Sequence, residues 1–172
     1  MRAKAFLVTT WAALLLGALA PGWATEPAAE PLTLSSIVLP ADALPAGCTL
    51  IEGIYAVSGQ ARAQYTDDFA GAVTGAKPVA KQFQSMRCDK AAGTVFYYQY
   101  ATDADAVTAV GFIQTLVWGQ KKPSSMHPEM IDRWKNIVVV VSFRHPQAIA
   151  TPVMVRLSGS SSVGNKSTAD KN

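Results

Sequence analysis

The alternation of apolar and polar residues is clearest at residues 94–118, where the period changes from that of a strand to that of a helix. The first part, residues 94–100, is rich in aromatic and β-branched residues, which suit the pleated, half-buried surface of a β-strand. The pattern therefore predicts a strand that leads directly into a helix, and this pair is the centre of the predicted fold.

The second part, residues 103–118, carries apolar residues at the spacing of one helix face. These residues are Ala106, Val110, Ile113 and Val117. Thr102 is suited to cap the helix, and Asp103 and Asp105 lie in the first turn, where the helix dipole favours negative charge. Gly119 suits the left-handed residue that follows a helix. We therefore expect the main helix of the protein here.

Four other segments have the composition of strands. They are residues 32–39 (a candidate edge strand), 48–58, 79–88 and 136–143. The short connection at residues 89–93 predicts a hairpin between the third of these and the strand at residues 94–100, and residues 60–65 are a candidate for a further hairpin strand. The last segment is almost uniformly apolar, which is typical of a central strand covered on at least one face.

Capping residues and prolines indicate the remaining helices. Thr66 is suited to cap a short helical turn, and Pro128 to open a helix of one or two turns over residues 128–134. Residues 144–157 predict a closing helix, although Pro152 would kink it and an extended conformation stays open. Together the elements predict an α+β domain, with a mixed or mostly antiparallel sheet of about four to six strands and the main helix on one face.

The two ends of the chain differ from this pattern in composition. Residues 1–24 combine a basic start, a short apolar run and small residues before a possible cleavage site, which is typical of a secretory signal peptide. Residues 25–31 predict a flexible leader, and residues 158–172 a disordered tail rich in Ser and Gly. The single domain then spans residues 32–157, and we expect the protein to be periplasmic or secreted.

Removal of the leader changes the charge of the chain. The full sequence has a net charge of +3, but Arg2 and Lys4 belong to the predicted signal peptide, so the rest of the chain carries about +1. No basic stripe remains, which argues against nucleic acid as a partner. No later segment reaches the roughly 20 apolar residues of a transmembrane helix.

Two cysteines, Cys48 and Cys88, lie in the predicted domain. An even pair in an exported protein most simply forms one disulfide. Cys88 lies next to the predicted hairpin turn and Cys48 begins a predicted strand, so a bond between them is geometrically reasonable. The sequence therefore favours this disulfide over a lipidated or nucleophilic cysteine.

Common catalytic motifs are missing from the sequence, which has no nucleophile elbow, phosphate-binding glycine loop, CxxC or HExxH. One weaker pattern is the set Met126, His127 and Met130, whose thioether and imidazole groups are ligands of the kind that bind copper. The sequence therefore offers an extracytoplasmic copper site as an alternative function.

A second alternative is a hydrolase. Either His127 or His145 would act there with Asp132 or Glu129 in general acid and base catalysis. The presence of the same residues is also explained without a catalytic role if their charged groups form ion pairs on a solvent-exposed surface.

Aromatic residues flank the long segment that follows the main helix, and basic residues and a histidine lie within it. They are Trp118, Lys121, Lys122, His127 and Trp134. Tryptophan favours binding surfaces because it combines a large apolar area with a polar group. The leading hypothesis is therefore a small exported protein without catalytic activity or cofactor, which binds a protein partner or a small ligand.

Overall fold

Five strands form one fully antiparallel sheet in the part of the chain that the computed structural model describes, residues 33–119 and 122–159. They are β1 (Cys48–Ile51), β2 (Ala80–Cys88), β3 (Ala91–Gln99), β4 (Met130–Trp134) and β5 (Ile137–Ser142). Their order across the sheet is β1-β2-β3-β5-β4. The predicted signal peptide, flexible leader and nearly all of the predicted tail lie outside the described residues.

Helices cover both faces of this sheet. They are α1 (Leu34–Ile37), α2 (Gly59–Asp67), α3 (Phe69–Thr74), α4 (Asp103–Trp118) and α5 (Gln147–Gly159). Buried residues of α2, α3 and α4 pack on one face, and those of α1 and α5 on the other. The predicted α+β class is confirmed, with a purely antiparallel sheet and a closing helix that continues through Pro152. None of the helices in the described residues is both long and apolar enough to cross a membrane.

The core lies on both sides of β3 and β5. Val95 and Tyr97 of β3 face α5, whereas Phe96 and Tyr98 face α4, and all four side chains are fully buried. Every residue of β5 is also buried. The uniformly apolar sequence of β5 is thus explained, because a strand with helices on both faces has no solvent-facing side.

The main helix begins and ends as its sequence predicts. Thr102 Oγ1 accepts a hydrogen bond from the backbone N–H of Asp105 at 3.1 Å. Gly119 follows the helix with φ +63°, and its N–H donates to the carbonyl oxygen of Thr115. The N-terminal cap and the left-handed C-terminal residue therefore fix both ends locally.

The predicted Cys48–Cys88 disulfide is also present. The two cysteines occupy directly paired positions of β1 and β2. The bond therefore clamps a four-residue edge strand to the sheet.

Two predictions before β2 are wrong. The segment at residues 32–39 forms the short helix α1 where it is described, because Leu34 and Ile37 are buried three residues apart on one helical face. Residues 60–65 are no hairpin strand but belong to α2, whose cap is Ser58. A short helix, α3, does lie in the segment where Thr66 is the predicted cap, but Thr66 itself belongs to α2 and α3 follows Asp68. The Ser58 side chain accepts from the N–H of Ala61, which starts the helix earlier than its weak apolar pattern indicates.

Two further segments differ from their predicted conformations. Only the first four residues of the 48–58 segment form a strand, and Gly53, with φ +84°, lies just beyond it. The helix predicted at residues 128–134 is wrong, because β4 pairs there with β5 across a tight turn in which Lys135 has φ +50°. Pairing with the most apolar strand outweighs the local preference of a proline for a helix start.

The outer side of β4 carries its own hydrogen bonds. The Asp132 carboxylate accepts from the backbone N–H of Arg133 at 2.7 Å. The Arg133 guanidinium donates to the carbonyl oxygen of Lys135 at 2.6 Å. Side chains therefore satisfy one backbone group of β4 and one of the turn that follows it.

Candidate functional site

A cleft of about 810 Å³ lies at one end of the sheet, beside the disulfide. At this end β1 begins, the β2–β3 hairpin turns, and β5 leads into α5. The lining residues come from all of these elements and from residues 56–57. The cleft is therefore a product of the tertiary fold and not of one local segment.

Phe143 and Ile149 form a buried apolar part of the cleft lining. The position of Phe143 depends on Gly93 in the neighbouring strand. A Cβ atom added to Gly93 would lie 2.5–2.6 Å from three ring carbons of Phe143, closer than any real contact. The missing side chain at Gly93 thus provides the space for the aromatic ring.

One wall of the cleft is held by a row of buried hydroxyl groups. Ser85, Thr94 and Ser142 occupy directly paired positions on β2, β3 and β5. Thr94 Oγ1 accepts from the N–H of Tyr55, and Ser142 Oγ from the N–H of Val57, both at 2.8 Å. Ser85 Oγ donates to the carbonyl oxygen of Gly53. The row thereby fixes the backbone of residues 53–57, two of which line the cleft.

The exposed lining of the cleft carries more cations than anions. Lys90 and Arg144 line it together with a single carboxylate, Asp89, and with the imidazole of His145. Asp89 adopts φ +51° in the hairpin turn, and its N–H donates to the carbonyl oxygen of Gly47 at 3.1 Å. The cleft therefore combines an apolar interior with a mainly basic rim.

The structure does not bring the two predicted tryptophans together. Trp118 packs with the core on the α4 side of the sheet, and its Nε1–H donates to the carbonyl oxygen of Glu129 at 2.9 Å. Trp134 packs against the core on the α5 side. Of the two predicted lysines, Lys122 is exposed and Lys121 lies outside the described residues. Binding by this segment stays a prediction.

The three residues of the predicted copper site differ in their surroundings. Met126 is 78% exposed, whereas Met130 belongs to β4 and packs against the α5-side core. His127 is half-buried, and its backbone forms a reciprocal pair of hydrogen bonds with Ser124. Within residues 33–119 and 122–159, no group of three or more His, Cys, Asp or Glu side chains is arranged to hold a metal ion. Copper binding stays a prediction.

The residues of the predicted hydrolase are distributed over separate places. Glu129 is fully buried, and its Oε1 lies 3.5 Å from Ser142 Oγ. Asp132 accepts from the backbone of β4, as described above. His145 is exposed and lines the cleft, where the neighbouring carboxylate is Asp89. The histidine of the cleft is thus accompanied by neither of the predicted carboxylates.

Sequence reasoning considered His145 but missed Lys90, Arg144 and Phe143. No motif joins them, because they meet only when the hairpin packs beside the end of β5. The comparisons with known proteins add no further assignment: no family model matches the chain, and no curated protein or solved structure is significantly similar to it.

Proposed function

We propose that this protein is an exported binding protein, and that its cleft takes a small organic anion with an apolar portion. The observation that carries the proposal is the cleft itself, with Phe143 and Ile149 inside and Lys90 and Arg144 at the rim. The proposal assigns recognition to the cleft and no reaction.

The size and chemistry of the cleft support a small ligand. Its volume of about 810 Å³ falls in the range of pockets that enclose drug-sized molecules. Such sites pair an apolar lining with a few polar groups that orient the ligand. A carboxylate would be attracted by Lys90 and Arg144, while its apolar portion would be removed from water against Phe143.

The binding proposal is tested by calorimetric titration with a panel of aromatic and aliphatic carboxylates and their amine counterparts. We expect at least one carboxylate to bind, and Arg144→Gln to weaken that binding roughly fivefold, or about 1 kcal/mol, since the guanidinium is exposed. The matched control is Arg62→Gln, which makes the same charge change at an exposed residue of α2 outside the cleft. Binding of amines in preference to carboxylates, or an equal loss in both variants, would refute the proposal.

Export is supported by the composition of residues 1–24 and by the disulfide, because disulfides persist in oxidising compartments. We expect residues 1–24, fused to a β-lactamase without its own leader, to make bacteria resistant to ampicillin. The control replaces Leu14, Leu15 and Leu16 with aspartate, which removes the apolar run and should abolish resistance. Equal resistance from both fusions would contradict export.

A further inference from the structure

Four buried polar atoms, two at the α2–α3 junction and two at the end of β3, make no hydrogen bond with the described part of the chain. They are Gln64 Nε2, Asp68 Oδ1, Tyr98 Oη and Tyr100 Oη. Gln64, Tyr98 and Tyr100 are fully buried residues, and α2, α3 and the two tyrosines pack on the same face of the sheet. The set contains three hydrogen-bond donors and one carboxylate acceptor.

The Gln64 amide and the Asp68 carboxylate both lie at the α2–α3 junction, whose helices pack in one cluster with Tyr98 and Tyr100. Gln64 lies one helical turn before Asp68, and its Oε1 accepts from the N–H of Ala70 at 3.0 Å, so its amide group lies at the α2–α3 junction. Asp68 adopts φ 55° and ψ 47°, and its carboxylate lies over the backbone of Gly71. Although Asp68 precedes α3, its side chain does not cap that helix.

The two phenols are close enough to Asp68 to be affected by its charge. Burial is the main cause that raises the pKa of Tyr98, with smaller contributions from Tyr100, Tyr65 and Asp68. Burial and then Asp68 raise the pKa of Tyr100. Both hydroxyls therefore keep their protons and remain donors at neutral pH, and neither hydroxyl nor Asp68 Oδ1 has a hydrogen-bond partner in the described part of the chain.

An arrangement of this kind is costly unless a further partner completes it. A buried polar group without a hydrogen bond is strongly destabilising, and a left-handed residue other than glycine adds strain. Water suits the mixture of groups, because it accepts hydrogen bonds from two donors and donates to carboxylates. Buried waters in proteins typically bridge groups that have no other partner.

We propose that Gln64, Asp68, Tyr98 and Tyr100 bind one or two buried water molecules, which connect the α2–α3 junction to the end of β3. Water accepts from the phenols and the amide, and donates to Asp68 Oδ1. Because α2 begins at Gly59, two residues after Val57, this bridge also anchors the segment that forms one cleft wall. The proposal is independent of the ligand proposed for the cleft.

The primary test is the detection of long-lived water in the wild-type protein. We expect nuclear magnetic resonance to show Overhauser contacts between water and the ring protons of Tyr98 and Tyr100, with a residence time above roughly a nanosecond, as for an internal water. Direct pairing of the phenols with Asp68, or phenols without any partner, would give no such contacts, and either result would overturn the proposal. This measurement needs no variant and so does not depend on whether one folds.

A second measurement uses Tyr98→Phe and Tyr100→Phe. Each substitution removes one donor to the water, so we expect the folding equilibrium constant to fall about tenfold and the water contacts at the remaining phenol to weaken. Tyr55→Phe is the matched control, since Tyr55 is 41% exposed and its loss should change neither quantity. Phenylalanine variants as stable as the wild type would show that the hydroxyls have no water partner and would overturn the proposal.

Discussion

The protein is expected to lose stability steeply above pH 10 because burial raises the pKa of three tyrosines in the folded state. Burial raises the pKa of Tyr97, Tyr98 and Tyr100 above the ordinary value of 10.0, although Arg156 lowers it in part for Tyr97. The unfolded chain releases these protons near pH 10 while the folded chain keeps them. Stability is therefore fully present below pH 10 and falls as the pH rises beyond it.

The expected slope is large. Each phenol contributes about 1.4 kcal/mol per pH unit, so three contribute about 4 kcal/mol per pH unit, which is comparable to the total stability of many domains. Urea unfolding between pH 8 and pH 11.5, with tyrosinate absorbance as a second signal, measures this slope. The absorbance of the buried tyrosines should appear together with unfolding and not before it.

Tyr97→Phe provides the matched variant for this experiment. The Tyr97 hydroxyl donates a long hydrogen bond of 3.5 Å to Gln84 Oε1, so removal of this hydroxyl should change the packing little. We expect the slope above pH 10 to decrease by about one third. A stability that is constant from pH 9 to pH 11.5 in the wild type would show that these tyrosines ionise without unfolding.

Removal of the disulfide is expected to cost about 4 kcal/mol. The bond joins residues separated by 40 positions, and a cross-link of that length restricts the unfolded chain by about this amount in the chain-entropy estimate. The Cys48→Ser, Cys88→Ser double variant should therefore unfold at much lower urea concentration. Equilibrium urea unfolding of the two proteins at the same pH measures the difference.

Reduction of the wild-type protein distinguishes the effect of losing the cross-link from any effect of the two introduced serine side chains. If the cross-link is the cause, wild type in excess reducing agent should unfold at nearly the same urea concentration as the double variant. β1 has only four residues and pairs only with β2 in the described chain, so its contribution to the cleft should be lost as well. A difference below roughly 1 kcal/mol would mean that the strand pairing holds without the bond.

The elements that sequence predicts correctly are those with strong local signals. The helix α4 has caps at both ends and a regular apolar face, and β5 is apolar throughout, so neither depends on the rest of the fold for its recognition. The polar helix α2 and the edge strand β4 lack such signals. The conformation of α2 is set by its packing on α4, and that of β4 by its pairing with β5. Neither contact is visible in a local sequence pattern.

The candidate site was less accessible to prediction than the fold. The disulfide that borders the cleft follows from the count and context of the cysteines. The rim does not, because Lys90 belongs to the β2–β3 turn and Arg144 follows β5, and only sheet pairing brings these two ends together. Gly93 gave no signal either, since a glycine near a turn does not indicate which aromatic ring lies over it.

The hydrogen bonds along the outer side of β4 have a consequence for behaviour at high concentration. An unpaired strand edge is a template on which other chains add strands and aggregate. The Asp132 carboxylate occupies the backbone N–H of Arg133 in β4, and the Arg133 guanidinium occupies the carbonyl oxygen of Lys135 in the adjacent turn, so two charged groups lie at this edge strand. We therefore expect self-association through β4 to be disfavoured.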